Sequence, residues 1–91
     1  MPENDSNIIQ SLSRGLSALE LIARRSITPK ELGDELGIDR SSAYRILCTL
    51  AAHGFVERDT LSEQYIISGR KIFAMGSAIG AAIHWPSQAS P

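Results

Sequence analysis

Cysteine is nearly missing from the sequence. Cys48 stands alone in 91 residues, which excludes an intramolecular disulfide. No signal peptide is visible, and the two absences together fit a reducing cytoplasm. No apolar run reaches the ~18 residues that a membrane-spanning helix needs, so no membrane partner is expected. Net charge is −1, so bulk charge announces no nucleic acid. Signatures of chemistry are absent too. His53 and His84 have no second ligand at metal spacing. Asp34 and Glu35 are paired only by adjacency, on what reads as a solvated helix face. No serine has a histidine and an acid in a recognisable arrangement. The sequence thus predicts no enzyme, no metal site and no cofactor. Internal repeats and low-complexity blocks are also lacking.

What is present is enough for one small core. Hydrophobic residues make up 43% of the chain. A domain this size buries roughly 60% of its unfolded surface and is expected to lean on a partner chain. The polar start predicts a disordered tail over 1–7. A folded unit over 8–68 follows, then a linker or dimerisation helix over 69–85 and a flexible end over 86–91. Charge is uneven. The first ten residues carry only Glu3 and Asp5, whereas Arg40, Arg45 and Arg58 face only Glu57 once Asp39 is set aside as a helix cap.

Leu12, Leu16, Leu19, Ile22 and Ala23 recur at helical steps, with Ser11 or Ser13 as the candidate cap and Arg24 and Arg25 at the end. The next start is marked four times. Thr28 is a good N-cap, Pro29 fits the first helical position, Glu31 completes a capping box, and Ile27 and Leu32 are placed as a hydrophobic staple. Leu32 and Leu36 face inward, and Gly37 ends this short helix as a left-handed residue. Asp39 caps a third helix with Ala43, Ile46, Leu47 and Leu50 as its buried stripe, and Gly54 stops it. "FVERD" and "QYIIS" read as two short strands joined by "TLSE". The expected fold is mainly α with a small β-hairpin. It is a winged helix-turn-helix, a three-helix core plus a two-stranded wing, followed by a linker helix.

Two helices that start within a dozen residues of each other make the first a brace for the second. In such motifs the brace crosses the phosphate backbone and the second helix enters the major groove. The face opposite the buried stripe holds Ser41, Arg45 and Cys48, flanked by Ser42, Tyr44 and Thr49. Arginine can bond guanine bidentately, and hydroxyls can bond phosphates or base edges. An ordinary solvated helix face is the alternative.

The segments "SLSRGLSALELIA", "TPKELGDELGIDRSSAYRILCTLAAHGFVERD" and "YIISGRKIFAMG" resemble, in order, the N-terminal domain of IclR-family bacterial transcription regulators, over roughly Leu12 to Gly76. The resemblance implies a domain that binds double-stranded operator DNA as a homodimer, one half-site per copy, to repress or to activate. By matching position, Ser41, Ser42, Tyr44 and Arg45 would make groove contacts, with Arg40 near phosphate. Thr28 and Lys30 would sit where the brace helix meets the backbone, and Arg14 would be a further backbone contact. Thr49 and Arg58 complete the expected DNA-binding set, although the wing departs from the family in its lack of positive charge. Full-length members also carry a C-terminal domain for a small-molecule effector, which is absent from this chain.

Several residues keep two readings. Arg45 reads a base, or it bonds phosphate or an acid among Glu31, Asp34 and Glu35. Tyr44 reaches phosphate or a thymine methyl, or packs at the core edge. Cys48 reads as a half-buried filler, with a redox switch on the groove-facing helix as the lesser alternative. In the last helix Ile72, Phe73, Met75 and Ile79, together with Leu12, form either a dimer contact or plain core. The rival to a DNA reader is a winged-helix protein-interaction module, which the neutral net charge and acidic wing favour.

Overall fold

A computed structural model describes residues 7–82. The expected tail up to residue 6 and everything from residue 83, including the end of the expected linker helix, lie outside that range. The order is α1 (Gln10–Arg24), α2 (Pro29–Leu36), α3 (Arg40–Ala52), β1 (Val56–Arg58), β2 (Tyr65–Ile67) and α4 (Gly69–Ala82). The two strands pair antiparallel, with Val56 opposite Ile67 and Arg58 opposite Tyr65. This is the winged helix-turn-helix that the sequence predicts, with each strand three residues long.

One cluster holds it together: Ala18, Ile22, Ile27, Leu32, Ala43, Leu47, Val56 and Tyr65, all buried. Each helix of the core, the connector before α2 and both strands contribute to it. Full burial of a side chain such as Ile27 or Leu47 is worth about 1.5–3 kcal/mol. The helical spacing of α1 predicts a longer buried stripe than is found. Only Ala18 and Ile22 are buried on it, whereas Leu12, Leu16 and Ala23 are exposed. Periodicity identifies an apolar face but not the length of it that meets a neighbour; here the first half of α1 overhangs the core. Its start also differs. Ile9 occupies the cap position with no side-chain hydrogen bond, so neither Ser11 nor Ser13 caps it.

The α2–α3 corner is built as the residues require. The Thr28 hydroxyl accepts from the Glu31 N–H at 3.2 Å, and the Glu31 carboxylate accepts from the Thr28 N–H at 2.9 Å. Gly37 ends α2 in the left-handed conformation at φ 71°, which lets the Ile38 N–H fold back to the Gly33 carbonyl at 3.0 Å. Gly33 itself is buried against that turn. A Cβ there would lie 2.8 Å from the Ile38 carbonyl oxygen. Gly54, at φ 83°, closes α3 in the same manner: its N–H reaches Ala51 and that of Phe55 reaches Leu50, both at 2.9 Å.

A third strand-like piece escaped the sequence. Ile27 exchanges two backbone hydrogen bonds with Tyr65, at 3.0 and 2.8 Å, so the α1–α2 connector pairs with the wing. Ser26 reinforces it by donating to the Gln64 side chain at 2.7 Å.

Candidate nucleic-acid interface

Asp39 fixes the start of α3. Its carboxylate accepts from the Ser42 hydroxyl at 2.7 Å and from the Ser42 N–H at 3.3 Å. These two bonds, the hydroxyl's first, hold the Asp39 carboxyl below its ordinary acidity range. Ala43 and Leu47 are buried beneath, with Ile46 and Leu50 half-buried beside them. The outward face therefore presents Arg40, Ser41, Tyr44, Arg45, Cys48 and Thr49, every one exposed. No acidic residue lies on it after the cap. Cys48 is thus an exposed thiol, not the half-buried filler expected, because its position points away from the Ala43–Leu47 stripe.

The cations differ in how free they are. Arg25 lies near Glu31 at 3.7 Å and near Glu35 at 3.8 Å, and Lys30 pairs with Asp34 at 3.3 Å. All three acids considered as partners for Arg45 are therefore engaged elsewhere. Neither Arg45 nor Arg40 has an ion pair among the described residues. The hydroxyls differ as well. Ser42 donates to Asp39 and Thr49 donates to the Arg45 carbonyl at 2.8 Å, so both have spent their proton locally and offer only an acceptor oxygen. Ser41 makes no comparable bond among the described residues.

Tyr44 is half exposed on this face, not packed into the core. Hydrogen bonding to the Cys48 thiol, then the charge of that group and of Tyr65, push its phenol above the ordinary value, and Arg58 opposes this. The phenol therefore keeps its proton at neutral pH. Tyr65 is buried, and burial is the main reason its own phenol is raised.

The expected contacts fall into two groups, one on each side of α3. Arg14 from α1 shares an open groove of about 650 Å³ with Ser42, Arg45 and Thr49. On the other side Arg40, Ser41, Tyr44 and Arg58 line a notch of about 350 Å³ between α3 and the wing, with Pro29, Glu63 and Tyr65. Pro29 places the start of α2, and so its neighbours Thr28 and Lys30, beside this notch. Glu63 belongs to the acidic wing that the sequence predicts, but its pairing with Arg58 was not foreseen. It takes φ 62°, uncommon for a side chain-bearing residue, and brings its carboxylate to 3.8 Å from Arg58. The turn that does this is more ordered than "TLSE" implies. Asp59 accepts from the Leu61 N–H at 3.1 Å and from the Ser62 hydroxyl at 2.7 Å.

A second surface is apolar. On α4 every side chain from Ile72 to Gly80 is exposed, and α4 packs extensively on none of the other elements. Ile72, Phe73, Met75 and Ile79 are uncovered, Phe73 by 75%, and Leu12 on α1 is 58% exposed. In the described chain these five residues are therefore not core. Ser68 starts α4, its hydroxyl accepting from the Lys71 N–H at 3.4 Å. Among the described residues no helix is long and apolar enough to cross a membrane, and no group of three or more His, Cys, Asp or Glu is arranged to hold a metal.

Known proteins match this arrangement. The family model described as the IclR helix-turn-helix domain matches residues 11–60, which run from α1 to the wing turn. The HTH-type transcriptional regulator BhcR of Paracoccus denitrificans is 39% identical over 75 residues, covering 81% of this chain and 26% of that protein. The transcriptional repressor IclR of Escherichia coli is 36% identical over 72 residues, 77% of this chain and 26% of that one. A crystal structure of an IclR family transcriptional regulator from Brucella abortus superposes with a TM-score of 0.76 at 25% identity, over 100% of this chain and 35% of that one. The chain thus spans about a quarter of the length of the curated relatives it matches. The double helix start, the left-handed glycine between the helices and the first strand of the wing are the parts that the family model covers, and the chain belongs to the IclR family.

Proposed function

We propose that this chain is the sequence-specific double-stranded DNA-binding part of a transcription regulator, with no catalytic role. In this reading α3 enters the major groove, and two copies occupy the two half-sites of an operator. One observation carries it: the outward face of α3 holds two arginines with no ion pair among the described residues and no acid after its cap. Arg45 is assigned to a base edge, and Ser41 and Tyr44 to base or phosphate. Arg14, Thr28, Lys30, Arg40 and Arg58 are assigned to phosphates, and Ser42 and Thr49 act only as acceptors. Lys30 has to release Asp34, and Arg58 has to release Glu63, to make their contacts.

Leu12, Ile72, Phe73, Met75 and Ile79 are assigned to the homodimer contact, since an uncovered apolar surface of this kind marks an interface. A regulator of this class works in the cytoplasm, and a small-molecule effector would act through residues other than those of the DNA-binding unit.

The rival reading, a protein-interaction module on the same scaffold, draws on the wing, where Glu57 and Glu63 outnumber Arg58. Selection of sites from random duplex DNA, at two salt concentrations, separates the readings. An enriched palindrome whose binding weakens with salt is expected. No enrichment, with a forced-dimer fusion failing equally, transfers the function to protein interaction.

A further inference from the structure

The notch between α3 and the wing gathers donors for an anion. Arg40 and Arg58 supply charge, and Ser41 and Tyr44 supply hydroxyls, around about 350 Å³ of open space. Charged and hydroxyl donors converging in this way suit a phosphate oxygen. Arg40 has no ion pair among the described residues. Tyr44 keeps its proton at neutral pH, and its phenol has to turn from Cys48 to donate to the anion.

One acid intrudes. Glu63 lines the same notch and faces Arg58 at 3.8 Å. The left-handed φ of 62° is held by the Glu63 N–H bonding the Asp59 carbonyl at 2.9 Å and the Asp59 N–H bonding the Gln64 carbonyl at 2.8 Å. The turn is hydrogen-bonded throughout, yet the ion pair it delivers is long and exposed on both sides. Such a pair is easily exchanged for a better acceptor.

We propose that this notch seats a single DNA phosphate, and that Glu63 is a built-in competitor which the phosphate displaces from Arg58. The proposal rests on the DNA-binding reading above and adds a purpose for the acidic wing. With Glu63 in place the wing contributes no net attraction to the duplex. Sequence-independent binding is held down, and a larger share of the total depends on α3. The cost of displacing Glu63 is common to all sequences, so the difference between sites is left to α3.

The test is a double-mutant cycle on a short random-sequence duplex, followed across a salt series, using Glu63→Gln, Arg58→Ala and both together. Glu63→Gln keeps size and turn geometry, and circular dichroism checks the fold. It is expected to tighten binding by about two- to fivefold. It is also expected to steepen the fall of log K with log salt by up to about 0.9, the value of one phosphate contact. In the Arg58→Ala background the same change is expected to gain nothing. An equal gain in both backgrounds means general charge repulsion and overturns the seat. Salt-sensitive binding that neither substitution moves overturns it as well, while leaving the DNA reading intact. Absence of salt-sensitive binding by every variant overturns both.

Discussion

Helix α3 and the wing meet at one notch but handle charge in opposite ways. On α3 the sole acid at the start, Asp39, is consumed by capping, and Arg40 and Arg45 are left without ion pairs among the described residues. On the wing the one arginine faces an acid that a hydrogen-bonded turn brings near it. The local devices are alike, an aspartate accepting from a serine three residues on in each case, Asp39 from Ser42 and Asp59 from Ser62. The same small motif thus stands beside unpaired arginines on one surface and beside a paired one on the other. A net charge of −1 conceals this division.

The largest break in the comparison comes from the core that both regions share. Leu47→Ala is expected to destabilise the domain by about 2–5 kcal/mol, enough to unfold much of it, because Leu47 lies between the helices and the wing. Leu61, 94% exposed at the wing tip, is the control. Leu61→Ser is expected to stay within about 0.5 kcal/mol in chemical denaturation.

Gly33→Ala tests the corner alone. The added Cβ meets a backbone oxygen at 2.8 Å, so the α2–α3 turn must shift, at a cost of about 1–3 kcal/mol. Gly76→Ala on α4 has open space and is expected to be neutral or slightly stabilising in the same denaturation experiment.

Thr28→Ala removes one half of the capping box and is expected to cost about 1 kcal/mol in thermal unfolding. The smallest effect is in acid. The Asp39 and Asp59 carboxyls are both held below the ordinary aspartate value of 3.8, mainly by their serine hydroxyls. Their stabilisation is therefore complete above that value and is lost as pH falls through the lowered folded-state values. Asp39→Asn keeps a capping oxygen, and is expected to flatten the acid side of the Tm–pH curve by the share that belongs to α3. Asp59→Asn is expected to remove the share that belongs to the wing.

Much of this was legible in the residues. Thr28, Pro29, Glu31 and Gly37 each act through the two or three residues beside them, and local chemistry of that kind survives any tertiary context. The outward face of α3 was legible for the same reason, since one buried stripe fixes the opposite side of a helix. What failed depended on distance. The exposed Leu12 and Leu16 satisfy the helical period but have no neighbour to bury them. The Ile27–Tyr65 pairing joins segments far apart in the chain, and nothing local announces it. The close approach at Gly33 looks like an ordinary helical glycine until the following turn is in place. The Glu63–Arg58 pairing was hidden for a related reason: a glutamate carries no signal for a left-handed backbone.

In the proposed function the free face of α3 reads sequence and the wing does not. The most direct test compares wild type with Arg45→Ala on the duplex recovered by site selection and on a scrambled duplex of equal length. A loss of about 1–3 kcal/mol confined to the selected duplex is the predicted result. An equal loss on both duplexes, or none on either, would contradict the assignment of α3 as the element that reads bases.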